Sequence, residues 1–446
     1  MRLQGTMRVN DKNHLEIGGC DTVDLAREFG TPLYVMDEAM FRQNCRAYYR
    51  AFTEAYGAEV IYASKTLTNL AVCTIVEQEG LGLDVVSGGE LYTAARARFP
   101  MERVYFHGNN KSPEELRMAL EYKVGRIVVD NRYELEMLNA VAGELGVKAK
   151  IMLRLSPGVE AHTHEYIKTG QIDSKFGLAI ENGMAMTGVK RALELPNVQL
   201  KGFHCHIGSQ IFELQSYAHA AEVMMTFVNH VYQETGYTAE ELNMGGGLGI
   251  YYYQGDQPRP VKEYADVMMG AIRAIAAEFD LPVPKVIVEP GRSIAGPAGI
   301  TLYTVGAIKD IPGIRKYVAV DGGMGDNPRP ALYQSKYEAC VANRMNEQPA
   351  EKVSIAGKCC ESGDMLIWDI ELPPLQPGDI LAVSSTGAYN YSMSMNYNRL
   401  PRPAMVLVNN GRADLIVRRE DYADLIRNDI IPERLRSTVV KLASSR

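Results

Sequence analysis

A chain of 446 residues with 46% hydrophobic composition can bury a large core and is long enough for two domains. Its formal charge of −7 comes without a basic run, which excludes nucleic acid and anionic membrane surfaces as expected partners and leaves a small-molecule substrate. Residues Met1 to His14 are polar, no segment approaches the roughly 20 apolar residues that span a bilayer, and the seven cysteines are scattered, so a cytoplasmic chain with reduced thiols is expected.

Eight short β-branched runs follow in chain order, each closed by a turn and then a helical pattern, which is the signature of a parallel α/β arrangement. They are residues 60–62, 83–86, 104–106, 127–129, 151–153, 202–204, 242–244 and 286–288. After the third run, Ser112-Pro113-Glu114-Glu115 spells a helix start, with Ser112 as cap, Pro113 in the first turn and Glu115 able to complete a capping box. Eight strand-helix units predict a (β/α)8 barrel over residues 37–297. The longest interval, between the fifth and sixth strands, holds His162-Thr163-His164-Glu165-Tyr166 through Gly177 and is expected to form a mobile lid. Beyond about residue 300 the strands 318–320, 353–355 and 380–383 lack long helices between them, and Asn410-Gly411 joins 405–408 to 414–417 as a hairpin. A mostly β second domain, a sandwich or Greek-key barrel, is therefore predicted from residues 1–36 and 298–446.

Catalytic groups of such barrels lie at the C-terminal ends of the strands. Those ends here carry Lys65, Asp84, His107, Asp130, Arg154, His204 with His206, Gly245-Gly246-Gly247, and Glu289 with Arg292. Lys65 can form an imine with an aldehyde cofactor, although alone it reads as a solvated lysine. The glycine run lets backbone approach a phosphate, or it is simply a tight turn. Glu289 can face a pyridine nitrogen and keep it protonated, or pair with Arg292. His206 can lie against a cofactor ring or be a hydrogen-bonded barrel histidine. Together these groups are the parts of a pyridoxal-phosphate site.

On these residues the chain resembles the fold-type III pyridoxal-phosphate-dependent decarboxylases, the group with an alanine-racemase-like barrel. The similar blocks span nearly the whole chain: Tyr62-Ala63-Ser64-Lys65, Asp84 to Leu91, His204 to Gln210, Gly245-Gly246-Gly247, Glu289-Pro290-Gly291-Arg292, Cys360-Glu361-Ser362 and Gly387-Ala388-Tyr389. The resemblance implies that Lys65 holds pyridoxal 5'-phosphate, that His206 stacks on its ring and that Glu289 faces the ring nitrogen. It further implies that Asp84, Ser209, Gly245, Gly246, Gly247, Gly291, Arg292 and Tyr389 complete the cofactor site, with Cys360 as the acid that returns a proton. The alternative for Cys359-Cys360 is a pair of small buried hydrophobes. Arg329, in Asn327-Pro328-Arg329-Pro330-Ala331-Leu332-Tyr333, offers a fork suited to a distal carboxylate, and Arg292, Tyr333, Glu361 and Tyr389 can add substrate contacts. Within the family that pattern implies decarboxylation of meso-2,6-diaminopimelate to L-lysine and CO2, the last step of lysine biosynthesis. Residues 169–177 and 392–398 point the same way.

The family also implies a head-to-tail homodimer in which Cys360, Glu361 and Tyr389 reach the barrel mouth of the partner. No metal is expected, although His204 and His206 alternate on a strand and could bind one as in barrel hydrolases. A non-catalytic relative, or a decarboxylase acting on ornithine, lysine, arginine or carboxynorspermidine, is the remaining alternative.

Overall fold

Apolar strands alternating with amphipathic helices close into a barrel in the computed structural model, which describes residues 1–159 and 174–436. The barrel strands are Glu59–Ala63, Gly82–Val85, Val104–Phe106, Arg126–Val129, Ala149–Ser156, Val198–His204, Glu241–Asn243 and Lys285–Val288. All neighbours pair in parallel, and the ring closes where Ile287 and Val288 of the eighth strand sit opposite Glu59 and Val60 of the first. Each strand coincides with one of the eight expected runs. The capping box is present too: Ser112 Oγ accepts from the Glu115 amide and Glu115 Oε2 accepts from the Ser112 amide.

Strand alternation decides what the lumen contains. Val60, Tyr62, Leu83, Val85, Ile127 and Val129 turn outward into the large core shared with the helices, whereas Ile61, Tyr105, Val128, Met152 and Ile287 form a separate plug inside the ring. Asp84, flanked by outward Leu83 and Val85, must therefore face inward. His204 follows outward Phe203 and Asn243 follows outward Leu242, so they do the same.

The second unit is built on one long strand, Gly299–Ile311, which pairs antiparallel with Leu33–Asp37, Arg315–Val320 and Ile380–Val383. Leu33–Asp37 comes from before the barrel and pairs in parallel with Ala404–Asn409, so the sheet draws on both ends of the chain. Ala404–Asn409 and Arg412–Val417 form the expected hairpin, with φ of 51° at Asn410 and 77° at Gly411, as its two-residue turn requires. Met365–Leu372 and Gly299–Ile311 were not foreseen. The first exposes Trp368 and mixes in charges, and the second, although apolar in its first half, follows directly on Gly296-Pro297-Ala298 and runs into the charged Lys309-Asp310. All seven cysteines are free, and among the described residues no helix is long and apolar enough to cross a membrane.

Candidate active site

Glu289 ends the eighth strand and turns into the lumen, where three side chains fasten its carboxylate. Asn243 Nδ2 donates to Oε1 at 2.7 Å, His204 Nε2 faces Oε2 at 3.2 Å, and His107 Nε2 lies 2.8 Å from Oε1 but off the line of a hydrogen bond. Burial would raise the Glu289 pKa, but His107 and His204 outweigh it and hold the group well below the ordinary carboxylate range. Burial drives His204 down to about 4, which keeps its imidazole neutral. Glu289 is thus a buried carboxylate kept ionised by donors, suited to face a protonated ring nitrogen. The alternative pairing with Arg292 is not formed, because Arg292 turns to Ser209 Oγ at 3.0 Å and the Tyr252 hydroxyl at 2.7 Å.

Asp84 lies beside this group with Oδ1 unpartnered, 3.7 Å from His107, and its pKa is pushed up to about 6, chiefly by burial. His107, His204 and Glu289 bring their ligand atoms within 4.8 Å of one another; His206, the histidine paired with His204 in the metal alternative, is not part of that group. Arg154 reaches the same mouth, 3.8 Å from Asp130 and with its guanidinium 4.2 Å over the Phe176 ring.

A cavity of about 660 Å³ opens above the carboxylates at the C-terminal ends of the strands. Lys65, at the end of the first strand, extends into it together with His206, Arg329, Tyr333 and Tyr389. The Gly246 amide donates to His206 Nδ1 at 3.3 Å, and burial followed by the Lys65 charge pushes the His206 pKa well down, so the ring is neutral. A smaller annex beneath is lined by Ser209, Gly247, Gly291, Arg292 and Ser293.

These surroundings fit pyridoxal phosphate. A carboxylate held ionised at the lumen, an imidazole at the wall, an amine in the cavity and a cationic hydroxyl-rich annex match its nitrogen, ring, aldehyde and phosphate. The glycines show why nothing larger would serve. A Cβ on Gly246 would stand 2.1 Å from the Glu289 carbonyl oxygen, and one on Gly247, whose φ is 115°, 2.2 Å from the Gly208 carbonyl oxygen. Of the three consecutive glycines, only Gly247 lines the annex. Gly245 packs under His206, where a Cβ would come within 2.8 Å of the ring nitrogen.

Two expectations need correction or restriction. Tyr389 does not need a partner to supply it: its amide donates to the Thr66 carbonyl at 2.8 Å, beside Lys65, and its ring lies 4.8 Å from the Arg292 guanidinium. The long strand Gly299–Ile311 carries Gly299 against Gly387, and this close approach folds residues 387–389 back onto the barrel mouth of their own chain. Residues 160–173, most of the expected lid, lie outside the described residues. Cys360 and Glu361 are exposed and line neither cavity. Strand-end reasoning missed Asn243, hidden within its strand, and Tyr252, Tyr253 and Asp256, which lie too far past the glycine run. The one signal for the latter was the unusual run Tyr251-Tyr252-Tyr253.

Residues 39–296 match the family model described as pyridoxal-dependent decarboxylase, pyridoxal binding domain. The chain is 53% identical over 431 residues to the diaminopimelate decarboxylase of Bacillus subtilis strain 168, covering 96% of this chain and 98% of that one. It is 52% identical to the enzyme of the same name from Halalkalibacterium halodurans, at the same coverage. Among solved structures, diaminopimelate decarboxylase from M. jannaschii in co-complex with L-lysine superposes with a TM-score of 0.90 at 40% identity, covering 96% of this chain and 99% of that one.

Proposed function

The chain belongs to the diaminopimelate decarboxylases, within the pyridoxal-dependent decarboxylase family, and from that premise we propose how its own residues carry the reaction. The reaction converts meso-2,6-diaminopimelate to L-lysine and CO2, the last step of lysine biosynthesis, with pyridoxal 5'-phosphate as cofactor. When bound, that cofactor supplies an electron sink for the pair released as CO2 leaves.

Lys65, whose amine lines the cavity, would hold the cofactor through Nζ. Glu289, ionised and fastened by Asn243 and His204, would keep a proton on the ring nitrogen. His206 would lie against the ring, and Ser209, Gly247, Gly291 and Arg292, which line the annex, would receive the phosphate, with Gly245 and Gly246 giving the backbone room to approach. Asp84, 3.7 Å from His107 and with no hydrogen bond to its Oδ1, would add a second carboxylate at the cofactor's edge. Arg329 takes the distal carboxylate of the substrate, with Tyr333 and Tyr389 at the wall of the same cavity. The observation that carries this reading is the joint presence of Lys65, Glu289 and Arg329 around one cavity at the C-terminal mouth of the barrel.

The remaining parts come from a second copy. In a head-to-tail homodimer, Cys360 of the partner subunit gives a proton from Sγ to the carbon that has lost CO2, and Glu361 of the partner subunit pairs with the distal amine. What supports this is the exposure of both residues on an ordered loop outside their own cavity. A biosynthetic reaction on a soluble amino acid by a chain with seven free thiols fits the cytoplasm.

The test is lysine formation from meso-diaminopimelate by purified protein with pyridoxal phosphate added, beside ornithine, arginine and lysine as substrates. Turnover of diaminopimelate alone is expected. Decarboxylation of ornithine at a comparable rate would overturn the assignment of Arg329.

A further inference from the structure

At the mouth of the barrel two buried cations share one oxygen. Arg292 Nη1 and Arg329 Nη1 stand 2.7 and 3.0 Å from the Tyr252 hydroxyl, and all three side chains are buried. Among the described residues, the other partners of these guanidinia are hydroxyls and aromatic faces. Ser209 Oγ accepts from Arg292 at 3.0 Å, Tyr337 Oη accepts from Arg329 at 2.6 Å, and the rings of Tyr252 and Tyr389 lie against both cations. Buried cations without a carboxylate keep their affinity for an incoming anion, at a desolvation cost that only such an anion relieves. Arg292 leans toward the annex through Ser209, and Arg329 faces the wider cavity. The Tyr252 hydroxyl is the atom that joins them.

Its position is set by clamps on the backbone of its own segment. Gln210 clamps Ile250 in both directions, its Nε2 donating to the Ile250 carbonyl at 2.7 Å and its Oε1 accepting from the Ile250 amide at 3.1 Å. Gln210 holds a φ of 61° to do so. Ser385 Oγ donates to the Tyr251 carbonyl at 2.9 Å, and Asp256 Oδ2 accepts from the Tyr252 amide at 2.9 Å. Three consecutive residues are thus pinned by three side chains, and the Tyr252 ring is braced edge-on against Tyr337 at 5.4 Å. A hydroxyl so fixed can hold two long, flexible guanidinia in register.

We propose that Tyr252 is a positioning residue that ties the phosphate-side Arg292 to Arg329 and fixes Arg329 where it receives the distal carboxylate, which makes Tyr252 a determinant of specificity for substrates that carry that group. The proposal rests on the reading of Arg329 given above. Burial pushes the phenol pKa up, yet the two arginines outweigh it and hold the group below its ordinary value. The same converging field acts on a substrate carboxylate placed beside it.

The test compares two ligands of the holoenzyme that differ by one carboxylate. L-Lysine keeps the distal carboxylate of diaminopimelate; 1,5-diaminopentane lacks it. Tyr252→Phe preserves the ring and its packing and removes only the shared oxygen. The inhibition constant for L-lysine should rise about tenfold, corresponding to about 1.4 kcal/mol, while that for 1,5-diaminopentane changes by less than about twofold. KM for diaminopimelate should rise in parallel, with kcat within about threefold and the bound cofactor, read by its absorbance, unchanged. In an Arg329→Gln background the same substitution should add less than about twofold for L-lysine, because the hydroxyl acts through that guanidinium. Equal weakening of both ligands, additive effects of the two substitutions, or a fall in kcat at constant KM would each overturn the role of Tyr252. If the unsubstituted enzyme itself binds L-lysine no more tightly than 1,5-diaminopentane, the reading of Arg329 falls, and the two failures are thereby told apart.

Discussion

The barrel mouth and the loop 359–364 are both rigidly made, yet they spend their order differently. At the mouth, Glu289 is held by Asn243 and His204 inside its own chain, and the reactive groups face a cavity. In the loop, the buried Asp364 accepts from the Met324 amide at 2.6 Å and the Cys359 amide at 2.7 Å, and Asn398 Oδ1 accepts from the Cys360 amide at 2.6 Å. All that bonding leaves Cys360 and Glu361 in solvent. Burial explains order in the first region; in the second, hydrogen bonds shape a loop around exposed groups, as the proposed partner contact requires. Cys359 sharpens the contrast, because burial raises its thiol pKa to about 12 while its neighbour stays accessible.

Substitutions on either side separate the two regions. Lys65→Ala should abolish turnover of meso-diaminopimelate, because no other described amine in the cavity stands at a barrel strand end; substantial residual activity in a steady-state assay would refute the role of Lys65. Cys360→Ala should cut kcat on the order of 10²-fold, the usual worth of a positioned general acid, while leaving bound cofactor at full stoichiometry by absorbance. Gly246→Ala should weaken cofactor retention about tenfold after dialysis, since its Cβ would sit 2.1 Å from a carbonyl oxygen and move the cradle. The two latter variants fail in opposite ways, one in chemistry and one in binding.

A smaller effect concerns the segment that leads into Arg329. Asp326 accepts from the Tyr303 hydroxyl and, at 2.8 Å, from the Gly323 amide; burial raises its pKa from 3.8 to about 7. The fold therefore prefers the protonated acid. Its contribution to stability is full below about pH 4, falls as pH rises, and is lost once pH passes 7. Melting temperatures measured at pH 5 and pH 8 should differ more for the unsubstituted protein than for Asp326→Asn, by a few degrees; equal differences would contradict the burial argument.

Much of this was legible because barrels convert sequence position into geometry. Once eight strands are placed, their ends converge, and Lys65, Asp84, His206, Glu289 and Arg292 fall around one mouth without further information. The resemblance added residues no periodicity could reach, such as Arg329 in the second unit. What stayed hidden has physical reasons. Asn243 acts from within a strand, where a polar residue reads as a weak strand rather than as a ligand of Glu289. Tyr252 reads as a core aromatic until its hydroxyl is seen between two arginines. The resemblance implies that the neighbouring copy supplies Tyr389, a residue of the second unit, whereas Gly299 packed on Gly387 turns that segment back to its own barrel.

The central claim is that one chain makes the cofactor half of the site and a second copy completes it. Mixing Lys65→Ala and Cys360→Ala subunits under conditions of demonstrated exchange tests it directly. Roughly half of the dimers would be hybrids with one intact site each, so activity should return to about a quarter of that of the unsubstituted enzyme. No recovery despite exchange would contradict the account and place the proton donor within the same chain as Lys65.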